Sequence, residues 1–289
     1  MRQRRRCLLA ISVTCAFVAV AACTKGASND RKSTAAASSP PSISALSQPS
    51  RSHGAALSSR PADVASSPPQ TSQADGKVID RTVVFGHSVR GVPLRLVELG
   101  DPSRPGVLVV GCVHGNEAAG LAVVDALAAS GLPAGAHLWL VPSLNPDGQA
   151  ADRRTNADGV DLNRNFPYRW QRLEQPGGAN YSGAGPLSEP ESQAMAALLR
   201  QIHPAAGVWF HQSLNVIDVS QGPRAIEDRL SAALGVKEVS LADYPGSAIG
   251  FEDSLFPHTA FAFELPAGGL APPRARQIAA AIVAVATSL

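Results

Sequence analysis

Apolar and polar residues alternate in blocks along the chain from about residue 78 to the C-terminus. Buried strands are indicated by short apolar runs at 107–110, 208–210 and 261–263, because a central strand is covered on both faces. Apolar residues recur at helical spacing in segments 118–129 and 271–289. Strands that alternate with helices predict a single α/β domain, in which helices flank a mixed, mostly parallel β-sheet.

Weaker patterns add elements between these segments. Three further strands are predicted, at residues 82–85, 94–97 and 138–141. A further helix is predicted to begin near Ser188, because Ser188 and Glu191 have the spacing of a capping box. Pro190 lies inside the first turn of that helix, where proline is tolerated.

Residues 1–22 have the pattern of a signal peptide. Four arginines among the first six residues precede an apolar run, and Ala21 and Ala22 stand directly before Cys23. A cysteine at this place resembles the bacterial lipobox, which implies cleavage before Cys23 and a diacylglyceryl group on its sulfur. Because two or more acyl chains anchor a protein stably, we expect an exported lipoprotein, attached to a membrane of the bacterial cell envelope. The alternative is an ordinary secretory signal in which Cys23 is coincidental.

Residues 23–77 predict a disordered tether. The segment after Cys23 is rich in Ser, Ala and Pro and contains no aromatic residue, so it cannot bury enough apolar surface to offset the entropy of ordering. The expected organisation is a signal peptide (1–22), a lipidated cysteine with its tether (23–77) and one folded domain (78–289). The alternative for the tether is a propeptide that folds onto this domain.

Composition excludes two classes of protein. A formal net charge of +2 over 289 residues argues against a dedicated nucleic-acid binder, which would carry a basic excess. Four cysteines in a chain of this length rule out a disulfide-dense scaffold. Within the folded domain the single cysteine, Cys112, is expected in the core, so no internal disulfide is predicted.

Candidate metal ligands follow two of the predicted strands. His114 and Glu117 come shortly after the run 107–110, and His211 comes directly after the run 208–210. In open α/β sheets, functional side chains gather beyond the carboxyl ends of the strands. Two histidines and one carboxylate can hold one metal ion and leave a position open for water. The alternative for each histidine is a half-buried, hydrogen-bonded residue without a ligand.

Further motifs occur in a fixed order around these residues. Asn-Pro-Asp-Gly occupies 145–148, Asp-Leu-Asn-Arg-Asn occupies 161–165, and Glu264 ends the strand predicted at 261–263. With them the sequence resembles the M14 family of zinc metallocarboxypeptidases, in particular the small bacterial branch that contains murein-tripeptide amidases. The resemblance extends from about residue 80 to the C-terminus and implies the fold of those enzymes.

The resemblance also implies roles at the metal centre. One zinc ion per chain would be bound by His114, Glu117 and His211. Glu264 would be the catalytic glutamate, a role that partial burial at a strand end suits because burial raises the basicity of a carboxylate. Asp161 would lie behind the first histidine and hold its outer ring nitrogen.

The same resemblance implies a set of substrate contacts. Arg154 would stabilise the developing oxyanion, and Asn163 and Arg164 would bind the terminal carboxylate of the substrate. Tyr244 would match the mobile tyrosine that closes over substrate in this family. The stretch 247–250 is expected to line the side-chain pocket, and no specificity aspartate is evident within it.

These residues predict a hydrolase that acts on peptides. We expect a monomeric zinc-dependent peptidase or amidase that cleaves an amide bond near the free C-terminal carboxylate of short cell-wall peptides, with diaminopimelate-containing tripeptides favoured. One alternative is an N-acyl amino acid deacylase, because those related zinc enzymes also carry His-Gly-Asn-Glu and an Asn-Arg pair. Another is a non-catalytic binder of wall peptides, although none of the expected ligands is missing.

Overall fold

A computed structural model describes residues 78–289 of the chain. The strands in this range are β1 (Ile79–His87), β2 (Pro93–Gly100), β3 (Val107–Val110), β4 (His137–Val141), β5 (Ala206–Asp218), β6 (Lys237–Val239) and β7 (Ala260–Pro266). The α-helices are α1 (Gly120–Ala128), α2 (Pro146–Ala150), α3 (Pro190–Ile202), α4 (Arg224–Leu234), α5 (Ala248–Leu255) and α6 (Pro272–Thr287). A 3₁₀ turn spans Leu162–Arg164.

The seven strands form one sheet in the order β1-β2-β4-β3-β5-β6, and β7 also pairs with β5. The pairs β1–β2 and β2–β4 are antiparallel. The central pairs are parallel: β3 with β4 and β5, and β5 with β6 and β7. This confirms the predicted α/β domain with a mixed, mostly parallel sheet.

The sheet separates two apolar clusters. In β3, Val107 and Val109 face the cluster covered by α1, α4 and α6, whereas Leu108 and Val110 face the cluster covered by α3 and α5. All four residues are fully buried. Because both faces of β3 are covered, its sequence is continuously apolar rather than alternating.

The start of α3 differs from the prediction. Pro190 occupies the first turn as expected, but the N-cap is Glu189, which makes no side-chain capping bond. Glu191 instead accepts hydrogen bonds from the Val89 backbone N–H (3.0 Å) and the Asn156 side-chain amide (3.2 Å). The predicted capping box is therefore wrong, because the buried Glu191 carboxylate binds distant segments in place of its own helix end.

A bend in β5 positions the end of β7. His211 and Val216 of β5 both pair with Glu264 of β7, and the register shifts between Ser213 and Val216. Glu264 is therefore flanked by the two halves of β5. This arrangement places Glu264 next to His211, which lies in β5 before the bend.

The predicted signal peptide (1–22), the lipidated Cys23 and the tether (23–77) lie outside the described residues. Within residues 78–289, no helix is long and apolar enough to cross a membrane. Cys112 is fully buried, as expected from its place beside β3.

Candidate metal centre and active site

The loop after β3 brings His114 and Glu117 to the carboxyl edge of the sheet. His114 is 3% exposed, and Glu117 is half-buried. Gly115 lies between them in close contact with the backbone of Gly148 in α2, and a Cβ atom there would collide with that backbone. Glycine at 115 is therefore needed for the loop to approach α2, and this contact sets the position of both flanking side chains.

Three donor atoms converge at this edge. The Glu117 Oε2 atom lies 3.0 Å from His114 Nδ1 and 3.1 Å from His211 Nδ1. The two Nδ1 atoms are 3.2 Å apart. Among residues 78–289, these three residues are the one group of His, Cys, Asp and Glu side chains arranged to hold a metal ion.

The donor set fits zinc. Zn–N and Zn–O bonds of about 2.0–2.1 Å in tetrahedral geometry separate neighbouring ligand atoms by about 3.3 Å, close to the spacing of these three donors. Three protein ligands also leave a fourth position for water or substrate, which is typical of catalytic rather than structural zinc sites.

Asp161 ties the metal centre to Arg154. Its Oδ1 atom lies 3.0 Å from His114 Nε2, and its Oδ2 atom accepts hydrogen bonds from Arg154 Nε (3.0 Å) and Nη2 (2.8 Å). A hydrogen bond from Nε2–H to Asp161 leaves the Nδ1 lone pair of His114 directed at the metal position. The structure thus places Asp161 on the side of His114 that faces away from the metal position.

Neighbouring histidine and arginine side chains keep the carboxylates of Glu117 and Asp161 ionised. Burial works against the charge of Glu117, but its contacts with His114 and His211 outweigh burial and lower the Glu117 pKa. Burial likewise opposes the charge of Asp161, and the attraction of His114, followed by that of Arg154, lowers the Asp161 pKa. A pair of ionised carboxylates in this place favours a cation between the histidines.

Arg154 points into the site from the segment before Asp161. Its Nη1 atom donates to Glu117 Oε1 (3.2 Å), while its other nitrogens bind Asp161. Its side chain is 26% exposed, so one edge of the guanidinium reaches the pocket. A guanidinium fixed in this way is suited to stabilise negative charge that develops on a nearby carbonyl oxygen.

Arg164 lies in the 3₁₀ turn and is buried beside Tyr244. Its Nη1 atom donates to the Asn163 carbonyl (2.7 Å), and the Tyr244 ring covers its guanidinium at 4.3 Å. Tyr244 is 50% exposed. Burial lowers the pKa of Arg164, although Asp161 opposes this shift. The structure therefore brings the predicted carboxylate-binding arginine and Tyr244 into contact.

Asn163 has a structural partner that the sequence did not reveal. Its Oδ1 atom accepts a hydrogen bond from the backbone N–H of Ala248, at the start of α5 (2.9 Å). Asn163 and Arg164 both line the pocket. An amide beside a guanidinium suits the recognition of a carboxylate, because both groups carry N–H donors.

Glu264 lines the same pocket as the three candidate ligands. Its carboxylate is half-buried, and burial raises its pKa, although His211 opposes that shift. A carboxylate with raised basicity is suited to accept a proton from water. The end of β7 therefore positions the Glu264 carboxylate in this pocket.

The pocket has a volume of about 270 Å³ and contains residues that no motif indicated. Gln212 donates its backbone N–H to Glu117 Oε2 (3.1 Å), and its side-chain oxygen accepts from the Ala119 N–H (3.0 Å). Asp218, at the end of β5, also lines the pocket. Their only sequence signal was proximity to His211, because their contacts depend on the bend in β5.

A convergent pair of histidines and a carboxylate, beside a glutamate at a strand end and two arginines from the segment after α2, defines the site of a metallohydrolase. The model of the zinc carboxypeptidase family, Peptidase_M14, matches residues 71–218, slightly more than half of the chain. The chain therefore belongs to the zinc carboxypeptidase family, whose members are hydrolases. The matched range includes the three candidate ligands, whereas Tyr244 and Glu264 follow it.

Known relatives share this fold and parts of the sequence. The solved structure of murein-tripeptide amidase from Escherichia coli O157 is similar with a TM-score of 0.58 and 30% identity, over 73% of this chain and 94% of that chain. Murein peptide amidase A of Escherichia coli K12 is 34% identical over 145 residues, which span 46% of this chain and 60% of that protein. Carboxypeptidase A of Helicoverpa armigera has the same fold, with a TM-score of 0.62, 18% identity and coverage of 73% and 69% of the two chains.

Proposed function

We propose that this protein is a zinc-dependent peptidase or amidase that cleaves the amide bond next to a free C-terminal carboxylate in short cell-wall peptides. The observation that carries the proposal is the convergence of His114, Glu117 and His211 in one pocket with Glu264 and Arg164. Membership of the zinc carboxypeptidase family and the similarity to two murein peptide amidases support the choice of substrate.

His114, Glu117 and His211 would hold the zinc ion. When bound, zinc supplies Lewis acidity, which polarises a carbonyl group and makes water more acidic. The chain contributes the orientation of the ligands, because Asp161 fixes the ring of His114 and Gln212 donates a backbone N–H to Glu117. These contacts keep the donor atoms in place before substrate arrives.

Substrate orientation comes from the other side of the pocket. Arg164 can bind a terminal carboxylate through two parallel N–H groups, and Asn163 can donate a third hydrogen bond. The bound carboxylate sets the distance from the chain end to the reacting amide. Recognition of this group therefore restricts cleavage to the last amide bond of a peptide.

Glu264 transfers the proton in the reaction, and Arg154 stabilises the negative charge that develops. Glu264 accepts a proton from the attacking water and passes it to the amide nitrogen, which leaves as an amine when the C–N bond breaks. Arg154 stabilises the negative charge that develops on the carbonyl oxygen, and its bonds to Asp161 hold it in position.

The decisive experiment measures zinc content and hydrolysis for the protein and for Glu264→Gln. We expect one zinc ion per chain in both proteins and a loss of about 10²–10⁴-fold in kcat for the variant, because a positioned general base contributes about that much. Glu174→Gln, an exposed glutamate, is the matched control and should retain full activity. Full hydrolysis by Glu264→Gln would remove Glu264 from the mechanism.

Substrate class is tested with a defined panel. Wall tripeptides that end in diaminopimelate, ordinary peptides with free C-termini, C-terminally amidated peptides and N-acyl amino acids are compared by mass spectrometry. We expect cleavage of the wall tripeptides and no cleavage of amidated peptides, which lack the charge that Arg164 binds. Cleavage of N-acyl amino acids alone would favour a deacylase instead.

We also propose that the protein is exported and attached to the bacterial cell envelope through a lipid on Cys23. The basic start, the apolar run and the small residues before Cys23 support this assignment. Export would place the protein next to its proposed wall substrates. Membrane fractionation of the protein and of Cys23→Ala provides the test: the variant should leave the membrane fraction, and unchanged fractionation would contradict lipidation.

A further inference from the structure

The segment that carries Tyr244 is attached to the segment after the 3₁₀ turn by two backbone hydrogen bonds. The N–H of Phe166 donates to the carbonyl of Gly246 (3.0 Å), and the N–H of Gly246 donates to the carbonyl of Tyr168 (2.7 Å). Gly246 lies two residues after Tyr244. The two segments therefore run side by side, and the chain just after Tyr244 is fixed against the chain that leads away from Arg164.

Glycine is required at position 246 for this close approach. Its φ is +75°, in the left-handed region, and an added Cβ atom would collide with the carbonyl group of Arg164. A residue with a side chain would be strained at this position and would also displace the backbone of Arg164. The segment that carries Tyr244 is thus packed backbone to backbone against the carboxylate-binding turn.

A pair of side-chain hydrogen bonds holds the other end of the segment. Asp243 directly precedes Tyr244. Its Oδ2 atom accepts hydrogen bonds from Tyr168 Oη (2.8 Å) and Arg169 Nη1 (2.6 Å). The hydrogen bond to Asp243 raises the pKa of Tyr168, so the Tyr168 hydroxyl group stays protonated as a donor. Because Tyr168 also binds Gly246 through its carbonyl, one residue holds the segment on both sides of Tyr244.

These attachments determine where the Tyr244 ring lies. The ring covers the guanidinium of Arg164 at 4.3 Å, and half of the Tyr244 surface is exposed. A cation–π contact at an exposed site contributes less than the entropy that ordering the backbone of one residue costs. The contact with Arg164 therefore does not fix a flexible segment by itself. The attachments on both sides of Tyr244 are what keep the ring over the guanidinium.

We propose that Asp243 is a positioning residue, which holds Tyr244 over Arg164 before substrate binds. Tyr244 is then a fixed wall of the carboxylate-binding site, in contrast to the mobile tyrosine that the family resemblance implies. The entropy of ordering this segment is lost on folding, so substrate binding does not have to offset it. This inference rests on the proposed function in one respect, because it assumes that Arg164 binds the α-carboxylate of the substrate.

The position of the Tyr244 ring is measured by fluorine NMR. The chain contains three tyrosines, Tyr168, Tyr181 and Tyr244, so labelling with fluorotyrosine gives three resonances, which substitutions by phenylalanine assign. Relaxation dispersion on the zinc-loaded full-length protein without substrate reports motion on the microsecond-to-millisecond timescale. We expect a Tyr244 resonance free of exchange broadening. In Asp243→Ala, which lacks the acceptor for Tyr168, this resonance should shift toward that of a solvent-exposed tyrosine.

Steady-state kinetics on a wall tripeptide separates positioning from catalysis. Asp243→Ala should raise KM by about two- to fivefold without a change in kcat, which is no more than the loss of the Tyr244 contact itself. In Asp243→Ala combined with Tyr244→Ala, KM should equal that of Tyr244→Ala alone, because Asp243 acts through Tyr244. Asp125→Ala, an exposed residue of α1, is the matched control and should change neither KM nor the Tyr244 resonance.

Thermal denaturation checks that the variants are folded, and Tyr168→Phe, which removes only the hydroxyl donor, repeats the comparison if Asp243→Ala does not fold. Exchange broadening of the Tyr244 resonance in the unsubstituted protein overturns the inference, and so does a resonance that Asp243→Ala leaves unchanged. Additive KM effects in the double variant also overturn it. If no peptide is cleaved, the proposed function fails, and the fluorine resonances still decide whether Asp243 holds Tyr244 in place.

Discussion

The two sides of the pocket are built differently. The catalytic wall, formed by His114, Glu117, Arg154 and Asp161, is a closed network in which Asp161 contacts both His114 and Arg154, and Arg154 contacts Glu117. The substrate wall, formed by Asp218, Leu241, Tyr244 and Ile249, has few side-chain hydrogen bonds, and half of the Tyr244 surface is exposed.

This difference indicates that the catalytic wall and the substrate wall tolerate substitution to different extents. Networked charges in a partly buried site polarise one another, so removal of one member disturbs the others. Residues that are packed without such partners can be replaced at lower cost. We therefore expect large effects of substitutions in the catalytic wall and small, substrate-dependent effects in the substrate wall.

After Glu264→Gln, the largest effect is expected for Arg154→Gln. Loss of a fixed donor for the developing oxyanion typically costs about 2.7–4 kcal/mol, so kcat should fall by about 10²–10³-fold with little change in KM. Steady-state kinetics on a wall tripeptide measures the change. Arg95→Gln, on the exposed side of β2, is the control and should match the unmodified protein. A KM effect alone would place Arg154 in substrate binding instead.

Asp161→Asn should have the next largest effect, on metal affinity. The substitution removes the charge that contacts both His114 Nε2 and Arg154. Loss of such a partner behind a ligand histidine typically lowers metal affinity by about 10–100-fold. Competition with a zinc chelator gives the dissociation constant. Asp158→Asn, in the neighbouring turn, is the control. Equal zinc affinity of the two variants would contradict the claim that Asp161 supports zinc binding through His114.

A pH effect on stability is expected from Glu252, which anchors α5 below the substrate wall. Its Oε2 atom accepts from Trp209 Nε1 (2.7 Å), its Oε1 atom is buried without a partner in the described part of the chain, and burial raises its pKa to about 8. In the unfolded chain the carboxyl group of Glu252 ionises near pH 4.5. The stability that the protonated Glu252 contributes is therefore fully present below that pH and is lost as the pH rises toward 8.

The measurement is the melting temperature at pH 6 and pH 7. The contribution of Glu252 to stability should fall by about 1.4 kcal/mol over this interval, or about 3–6 °C in Tm. Glu252→Gln should make this decrease smaller, because glutamine does not titrate, while the part that comes from Glu227, whose pKa burial raises to about 7, remains. Glu174→Gln, which is exposed, should retain the full decrease. The same decrease in both variants would assign the pH dependence to another group.

The smallest effect is expected for Tyr244. Tyr244→Phe keeps the ring over the Arg164 guanidinium and should change kcat/KM by less than about threefold. Tyr244→Ala removes a half-exposed cation–π contact worth about 0.5–1 kcal/mol, which corresponds to a two- to fivefold rise in KM. Kinetics on one peptide compares both variants. A large loss in Tyr244→Phe would show that the hydroxyl group takes part in catalysis.

Much of the fold was predictable because it depends on local pattern. The apolar runs at 107–110 and 261–263 became β3 and part of β7, and the segment 271–289 contains α6. Prediction from the sequence failed where contacts between distant segments determine the local structure. Glu191 has capping-box spacing but binds Val89 and Asn156 from other segments. Helix α4 and strand β6 were not predicted.

Short motifs in the sequence were enough to identify the residue types of the catalytic wall and the family, since His114 and Glu117 lie in one motif and Asp161 in another. In the substrate wall, Tyr244 and the stretch 247–250 were predicted from the sequence, whereas Asp218 and Leu241 were found only in the folded structure. Asp218 stands in no motif, and it reaches the pocket because β5 bends after Ser213 and returns along β7. Motifs record residues that are close along the chain, whereas a pocket also contains residues that only the folded backbone brings together.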